Sequence, residues 1–179
     1  MKEEPNPDVI VDFISGKPVP NIGAEANRQR VERYLIEING FRREEVMVDA
    51  PIDVKINDEV YRSVVDLVVQ IGSRPLIAVK CAAGSLGSRE REIVSAARLY
   101  GASPLPLAVV SDGSGAIVLD VATGKKIGNG LAAIPTRNEA VNLAEADPLP
   151  PVAPDRLDRE KLVFRSYDSM NVNVRRRGN

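Results

Sequence analysis

Two runs of valine and isoleucine sit almost back to back in this chain, Val-Tyr-Arg-Ser-Val-Val-Asp-Leu-Val-Val-Gln-Ile (60–71) and Pro-Leu-Ile-Ala-Val-Lys-Cys-Ala (75–82), with only Gly72-Ser73-Arg74 between them. A gap that short joins antiparallel neighbours, so the pair is a β-hairpin and the fold is built around it. Each run carries one charge in an otherwise apolar stretch, Asp66 in the first and Lys80 in the second. Side chains alternate along a strand, so Val64, Asp66 and Val68 share one face, and Ala78, Lys80 and Ala82 share another. A three-residue loop pairs Ile71 with Pro75 and sets Asp66 opposite Lys80, whereas a two-residue loop sends the two charges to opposite faces. Asp66 and Lys80 are therefore either a cross-strand ion pair on a half-exposed sheet or the charged members of a cleft.

Around this hairpin the pattern alternates. Val31, Tyr34, Leu35 and Ile38 recur at i, i+3, i+4 and i+7 and predict a helix from Gly23 to Gly40, with Asn21 as its N-cap and Asn39-Gly40 as its stop. Val-Met-Val-Asp-Ala-Pro-Ile-Asp-Val-Lys-Ile (46–56) reads as a strand turning at Asn57-Asp58. Ser88 to Tyr100 predicts a second helix with Ser88 as its cap, Glu90 and Glu92 at its positive end and Gly101 as its stop. Leu-Pro-Leu-Ala-Val-Val-Ser-Asp (105–112) and Ala-Ile-Val-Leu-Asp-Val (116–121) are strands joined by Gly113-Ser114-Gly115, and Ala122–Lys125 closes a further hairpin. Thr136 and Glu139 form a capping box that opens a short helix to about Glu145. The order gives a mixed sheet flanked by helices, α/β or α+β in class.

The flanks differ in composition. Residues 1–22 form a Pro- and Gly-punctuated arm or short hairpin, residues 23–146 the folded domain, and residues 147–179 a Pro-rich linker, a short helix (155–163) and a basic tail. The last sixteen residues hold four arginines and one aspartate, ending in Arg175-Arg176-Arg177. That tail is either a solubilising extension or a phosphate-contacting one. If packed, it docks on its own domain or on a second copy in a homodimer.

Absent residue types exclude whole chemistries. With no histidine in 179 residues, Ser-His-Asp and Cys-His catalysis, histidine zinc sites and histidine pH switches are ruled out. Four Tyr, three Phe and no Trp leave little material for stacking bases. The lone Cys81 forbids an internal disulfide and, with an acidic N-terminus lacking an apolar core, points to the cytoplasm. No apolar run of about 18 residues is present to span a membrane. Twenty-four basic against twenty-five acidic residues leave a net charge of −1, so any nucleic-acid binding must come from a local patch.

After Lys80 the chain runs from strand through a small-residue loop into a helix start. Gly84, Ser85, Ser88 and Arg89 there are candidates for holding an anion, against the plainer reading of a tight turn with a helix cap. Neither a phosphate-binding G-x-x-x-x-G-K-[ST] loop nor a G-x-G-x-x-G loop occurs.

Three further pieces, Asn27-Arg28-Gln29 in the first helix, Val65-Asp66-Leu67-Val68-Val69, and Val110-Ser111-Asp112-Gly113, give residues 23–134 a resemblance to the N-terminal nuclease domain of type I restriction enzyme R subunits. That family is a branch of the PD-(D/E)xK restriction-endonuclease-like superfamily. The resemblance implies a restriction-endonuclease-like mixed sheet, action on DNA and partnership with an ATP-driven translocase, of which no motor motif lies in these residues. It implies that Asp66 is a Mg²⁺ ligand and that Glu25 is the acidic residue of the first helix, and it places Arg28 among candidate anion- or nucleic-acid-binding residues. At the remaining positions the chain departs from it. Lys80 stands where the family has a metal-binding Glu, and Ala82 where it has a Lys. A cation beside a divalent ion is repulsive. The expectation is therefore a domain with a decayed metal site that needs no cofactor and binds nucleic acid or a partner. The alternative is an active Mg²⁺ nuclease in which Lys80 is a displaced catalytic lysine and Glu92 or Glu25 supplies the missing ligand. A third is a small-anion or nucleotide binder using Gly84–Arg89.

Overall fold

The computed structural model describes residues 8–175, and side chains as far as Asn171. The basic run therefore lies outside the description, apart from the backbone of Arg175. The elements follow the order β1 (Val9–Val11), β2 (Pro18–Pro20), α1 (Glu25–Arg33), β3 (Val46–Ile56), β4 (Glu59–Ile71), β5 (Arg74–Cys81), α2 (Glu90–Leu99), β6 (Leu107–Ser111), β7 (Ala116–Asp120), β8 (Lys126–Asn129), α3 (Arg137–Glu145) and α4 (Pro154–Arg175).

Strands β3 to β8 lie in chain order in one six-stranded sheet, while β1 and β2 form a separate hairpin. Every pairing in the large sheet is antiparallel except β5 with β6, which run parallel because α2 carries the chain back between them. The sheet is mixed and open, and the fold is α+β. Both faces are covered. Val68, Ala78, Ala82 and Ala108 pack with Ile93, Ala96 and Ala97 of α2 and Phe164 of α4 on one side. Leu67, Val79 and Val109 pack with Val31 and Leu35 of the first helical segment and Ala140 of α3 on the other. Burial on two sides explains why β6, and β5 apart from Lys80, read as apolar runs. Among the described residues no helix is long and apolar enough to cross a membrane.

Several sequence expectations change on contact with the structure. The first helix stops being α-helical at Arg33 and continues as one π-turn from Tyr34 to Ile38, closed by Asn39 N–H donating to Tyr34 O. That wider turn leaves Ile38 exposed, off the apolar stripe it belonged to by spacing. Ala24, with no side-chain cap, takes the N-cap position expected of Asn21. Asn39 does end the segment, and its amide donates to the carbonyls of Ile134 and Pro135. Ser88 does not cap α2, because Gly87–Arg89 forms a 3-10 turn and Arg89 becomes the N-cap. The Thr136–Glu139 capping box forms as read.

The largest difference is α4, a helix of 22 residues where a short one ending at Val163 was expected. Its inward face is largely polar. Glu160 accepts from Ser95 Oγ at 2.7 Å, Asp168 accepts from the Tyr61 hydroxyl at 2.7 Å, and the Asn171 amide donates to Glu92 at 2.8 Å.

Candidate functional site

Asp66 and Lys80 meet, by a route the sequence did not disclose. The β4–β5 turn is the two-residue kind, with Ile71 paired to Arg74 and Gln70 to Pro75. The ladder then skips Leu76, so Val69 pairs with Ile77 and Leu67 with Val79. Extending that register by one step sets Asp66 opposite Lys80. The bulge cancels the register error of the short turn and keeps both charges on the face covered by α2 and α4.

Lys80 Nζ lies 3.5 Å from Asp66 Oδ2 and 3.2 Å from Glu92 Oε1, so one ammonium bridges two carboxylates. The three side chains are only 12%, 9% and 4% exposed. Asp66 Oδ2 also accepts the backbone N–H of Cys81 at 2.8 Å. Glu92 is held from three directions: Lys80 and the Asn171 amide on Oε1, and Arg89 at 3.2 Å on Oε2. Burial pushes the Cys81 thiol well above its usual range, and the neighbouring Asp66 charge adds to this, so Cys81 is an unreactive core thiol.

Asp66, Lys80, Cys81, Arg89 and Asn171 line a cleft of about 580 Å³, to which Glu25 and Arg28 of α1, Asp49 of β3 and the β1–β2 hairpin around Val19 and Pro20 also contribute. Asp49 takes a left-handed backbone conformation (φ 49°) and interrupts the β3–β4 pairing between Val48 and Ala50. Arg28 is surrounded by acids. It donates to Glu25 at 2.7 Å and Asp49 at 3.1 Å, reaches Asp12 at 3.4 Å and lies 3.7 Å from Glu32. Burial works against its charge, but the carboxylates of Asp49, Glu25 and Glu32 outweigh it and hold the guanidinium firmly protonated.

Behind Arg28 sits a buried acid pair. Neither carboxyl oxygen of the fully buried Glu32 has a hydrogen-bond partner among the described residues. Burial, then the charge of Asp12, push Glu32 up to about 8 against the opposing pull of Arg28. Asp12 goes the other way. Burial would raise it, but the N–H and hydroxyl of Ser15, the Gln29 amide and the Arg28 charge outweigh that and hold it below the usual range. The hairpin residue Asp12 thus ties the β1–β2 segment to α1.

The candidate residues divide accordingly. Asp66, Lys80, Glu25, Arg28 and Arg89 all line this cleft. Gly84, Ser85 and Ser88 do not: the Ser88 hydroxyl donates to Ser85 O within an exposed turn. Glu25 is engaged by Arg28 and by the Gln29 amide at 2.8 Å. Among the described residues no group of three or more acidic or cysteine side chains is placed to hold a metal ion. Sequence reasoning missed Asp49 and Asn171. Nothing in the 46–56 strand pattern singles out Asp49, and Asn171 lies in a segment read as a polar tail.

A mixed sheet bearing a charged cleft at the carboxyl end of β5 is the class of domain this architecture defines. Residues 23–135 match the family model for the type I restriction enzyme R protein N terminus, and the chain belongs to that family. No curated protein and no solved structure matches the chain.

Proposed function

We propose that this chain is a catalytically silent member of its family, a nuclease-type domain whose own lysine fills the cation position and which acts by binding nucleic acid or a partner protein without metal. The carrying observation is Lys80 Nζ lying between Asp66 and Glu92. Mg²⁺ requires near-octahedral oxygen ligands at about 2.0–2.1 Å and usually keeps one or two carboxylates for charge balance. Asp66 and Glu92 already share the Lys80 ammonium, and they also engage Cys81 N–H, Asn171 and Arg89. A divalent ion would have to expel Lys80 from a site with little solvent to receive its charge. Ala82, where the resemblance expects a lysine, has no donor to offer a phosphate. The residues present do not fit the ion.

One observation favours a second reading. Glu92 and Asp66 converge on a single atom, so a nuclease with a migrated second carboxylate becomes geometrically available if Lys80 swings out.

Incubation of the full chain with single- and double-stranded DNA and RNA, in Mg²⁺ and in Mn²⁺, separates the two. The proposal expects no cleavage. Turnover that Asp66→Ala abolishes would establish the second reading instead.

A further inference from the structure

The two ends of the α2–α4 contact are chemically different. At one end Glu92 pairs with Lys80 and Asn171 lines the Asp66 cleft. At the other, a separate cleft of about 400 Å³ opens between α2, the turn after β7 and the start of α4. Four arginines line it, Arg91 and Arg98 from α2 and Arg156 and Arg159 from α4, against two acids, Glu90 and Glu160.

Both acids are already engaged. Glu160 is buried, accepts from Ser95 Oγ at 2.7 Å and pairs with Arg98 at 2.6 Å, with Arg156 a further 3.8 Å away. Glu90 pairs with Lys126 at 3.5 Å. Arg91 and Arg159 are exposed and have no ion-pair or hydrogen-bond partner among the described residues. Beneath them Arg98 is built in rather than solvated. Its side chain is 10% exposed, Nε donates to Val121 O at 3.0 Å and one terminal nitrogen is committed to Glu160. The other terminal nitrogen, Nη2, has no hydrogen-bond partner among the described residues. Gly124 lets the turn close over it, since a Cβ there would lie 3.3 Å from that nitrogen. A nine-tenths-buried guanidinium with an uncommitted nitrogen on the floor of a cleft, under two unpaired arginines, is an arrangement for oxyanions.

We propose that this α2–α4 cleft binds the phosphodiester backbone of duplex DNA. In a chain of net charge −1, it supplies the local patch that such binding requires. Among the described residues no aromatic side chain lines it, so it offers no platform for unstacked bases, which argues for a duplex backbone over a single strand. The inference deepens the binding half of the proposed function by naming the surface, and it does not depend on whether the Asp66 cleft is silent.

The test is fluorescence anisotropy of a short labelled DNA duplex with the full chain, in EDTA, across a salt series. Because metal is absent, the result is independent of the cleavage assay. Wild-type affinity is expected to fall steeply with salt. The double variant Arg91→Ala/Arg159→Ala, at exposed positions that leave the melting temperature unchanged, is expected to lose about tenfold in affinity and to lower the log–log salt slope by about 2. Replacing Arg175–Arg177 with alanine is expected to leave most of the binding intact. Wild-type binding by the double variant, loss of all binding in the tail variant, or absence of binding in EDTA would each overturn the proposal. So would a mononucleotide that competes as well as the duplex per phosphate, which would reassign the cleft to a small phosphorylated ligand.

Discussion

Lys80 stands across from Asp66 because Leu76 drops out of the β4–β5 pairing. Without that bulge the two-residue turn would send Lys80 to the α1 face. There it would be buried against Leu67 and Val109, with its charge facing a hydrocarbon core. With it, the ammonium lies 3.5 Å from Asp66 and 3.2 Å from Glu92.

Truncating the lysine should therefore be costly. Lys80→Met leaves two carboxylates, each less than one-tenth exposed, without the cation between them. A loss of about 3–5 kcal/mol in urea-denaturation stability is expected, the range for breaking a buried ion pair from one side. The triple variant Asp66→Asn/Lys80→Met/Glu92→Gln should recover most of it. A Lys80→Met cost within experimental error of zero would show that the bridge is decorative.

Reversing the charge should make a metal requirement. Lys80→Glu places a third carboxylate beside Asp66 and Glu92, so without metal the variant should be less stable than wild type through like-charge repulsion. With Mg²⁺ or Mn²⁺ at about a hundred times the dissociation constant, about 2.7 kcal/mol of ligand-linked stabilisation should appear. Thermal melts with and without metal read this directly. A variant equally unstable in both conditions would mean that the cleft lacks the geometry for an ion.

Glu32 predicts a pH dependence of defined sign. Its folded pKa, about 8, lies above the ordinary carboxyl value, so the folded state binds more protons between the two. This group's contribution is therefore fully present at low pH and is lost as pH rises through about 8. Asp12, held low, acts in the opposite sense and only in the acid range. Glu32→Gln should then gain stability relative to wild type by a few kcal/mol between about pH 6 and pH 9. Parallel urea titrations at those two pH values check it. A difference that does not change with pH would remove the acid pair from the account.

The sequence carried the sheet plainly and the site only in part. β3 to β7 are Val- and Ile-rich runs broken by turn residues, and they formed where expected. The α4 helix could not be read to its end because, Phe164 apart, its inward face carries Glu160, Asp168 and Asn171, and no apolar period marks a face stabilised by hydrogen bonds to Ser95, Tyr61 and Glu92. The bulge at Leu76 left no local signal either, since Pro-Leu-Ile-Ala-Val is apolar in either register. Asp66 and Lys80 were conspicuous as charges in apolar strands. Arg28 was a candidate anion-binding residue, but its acidic surroundings could not be read, because the four acids around it come from the hairpin, α1 itself and β3.

The most direct measurement is the melting temperature of the wild-type chain titrated with Mn²⁺, alongside Asp66→Ala. With Lys80 as the resident cation, the wild-type melt should not move at any metal concentration below that which affects the variant equally. A saturable upward shift in wild type that disappears in Asp66→Ala would show that a divalent ion displaces the lysine and that the silent-site account is wrong.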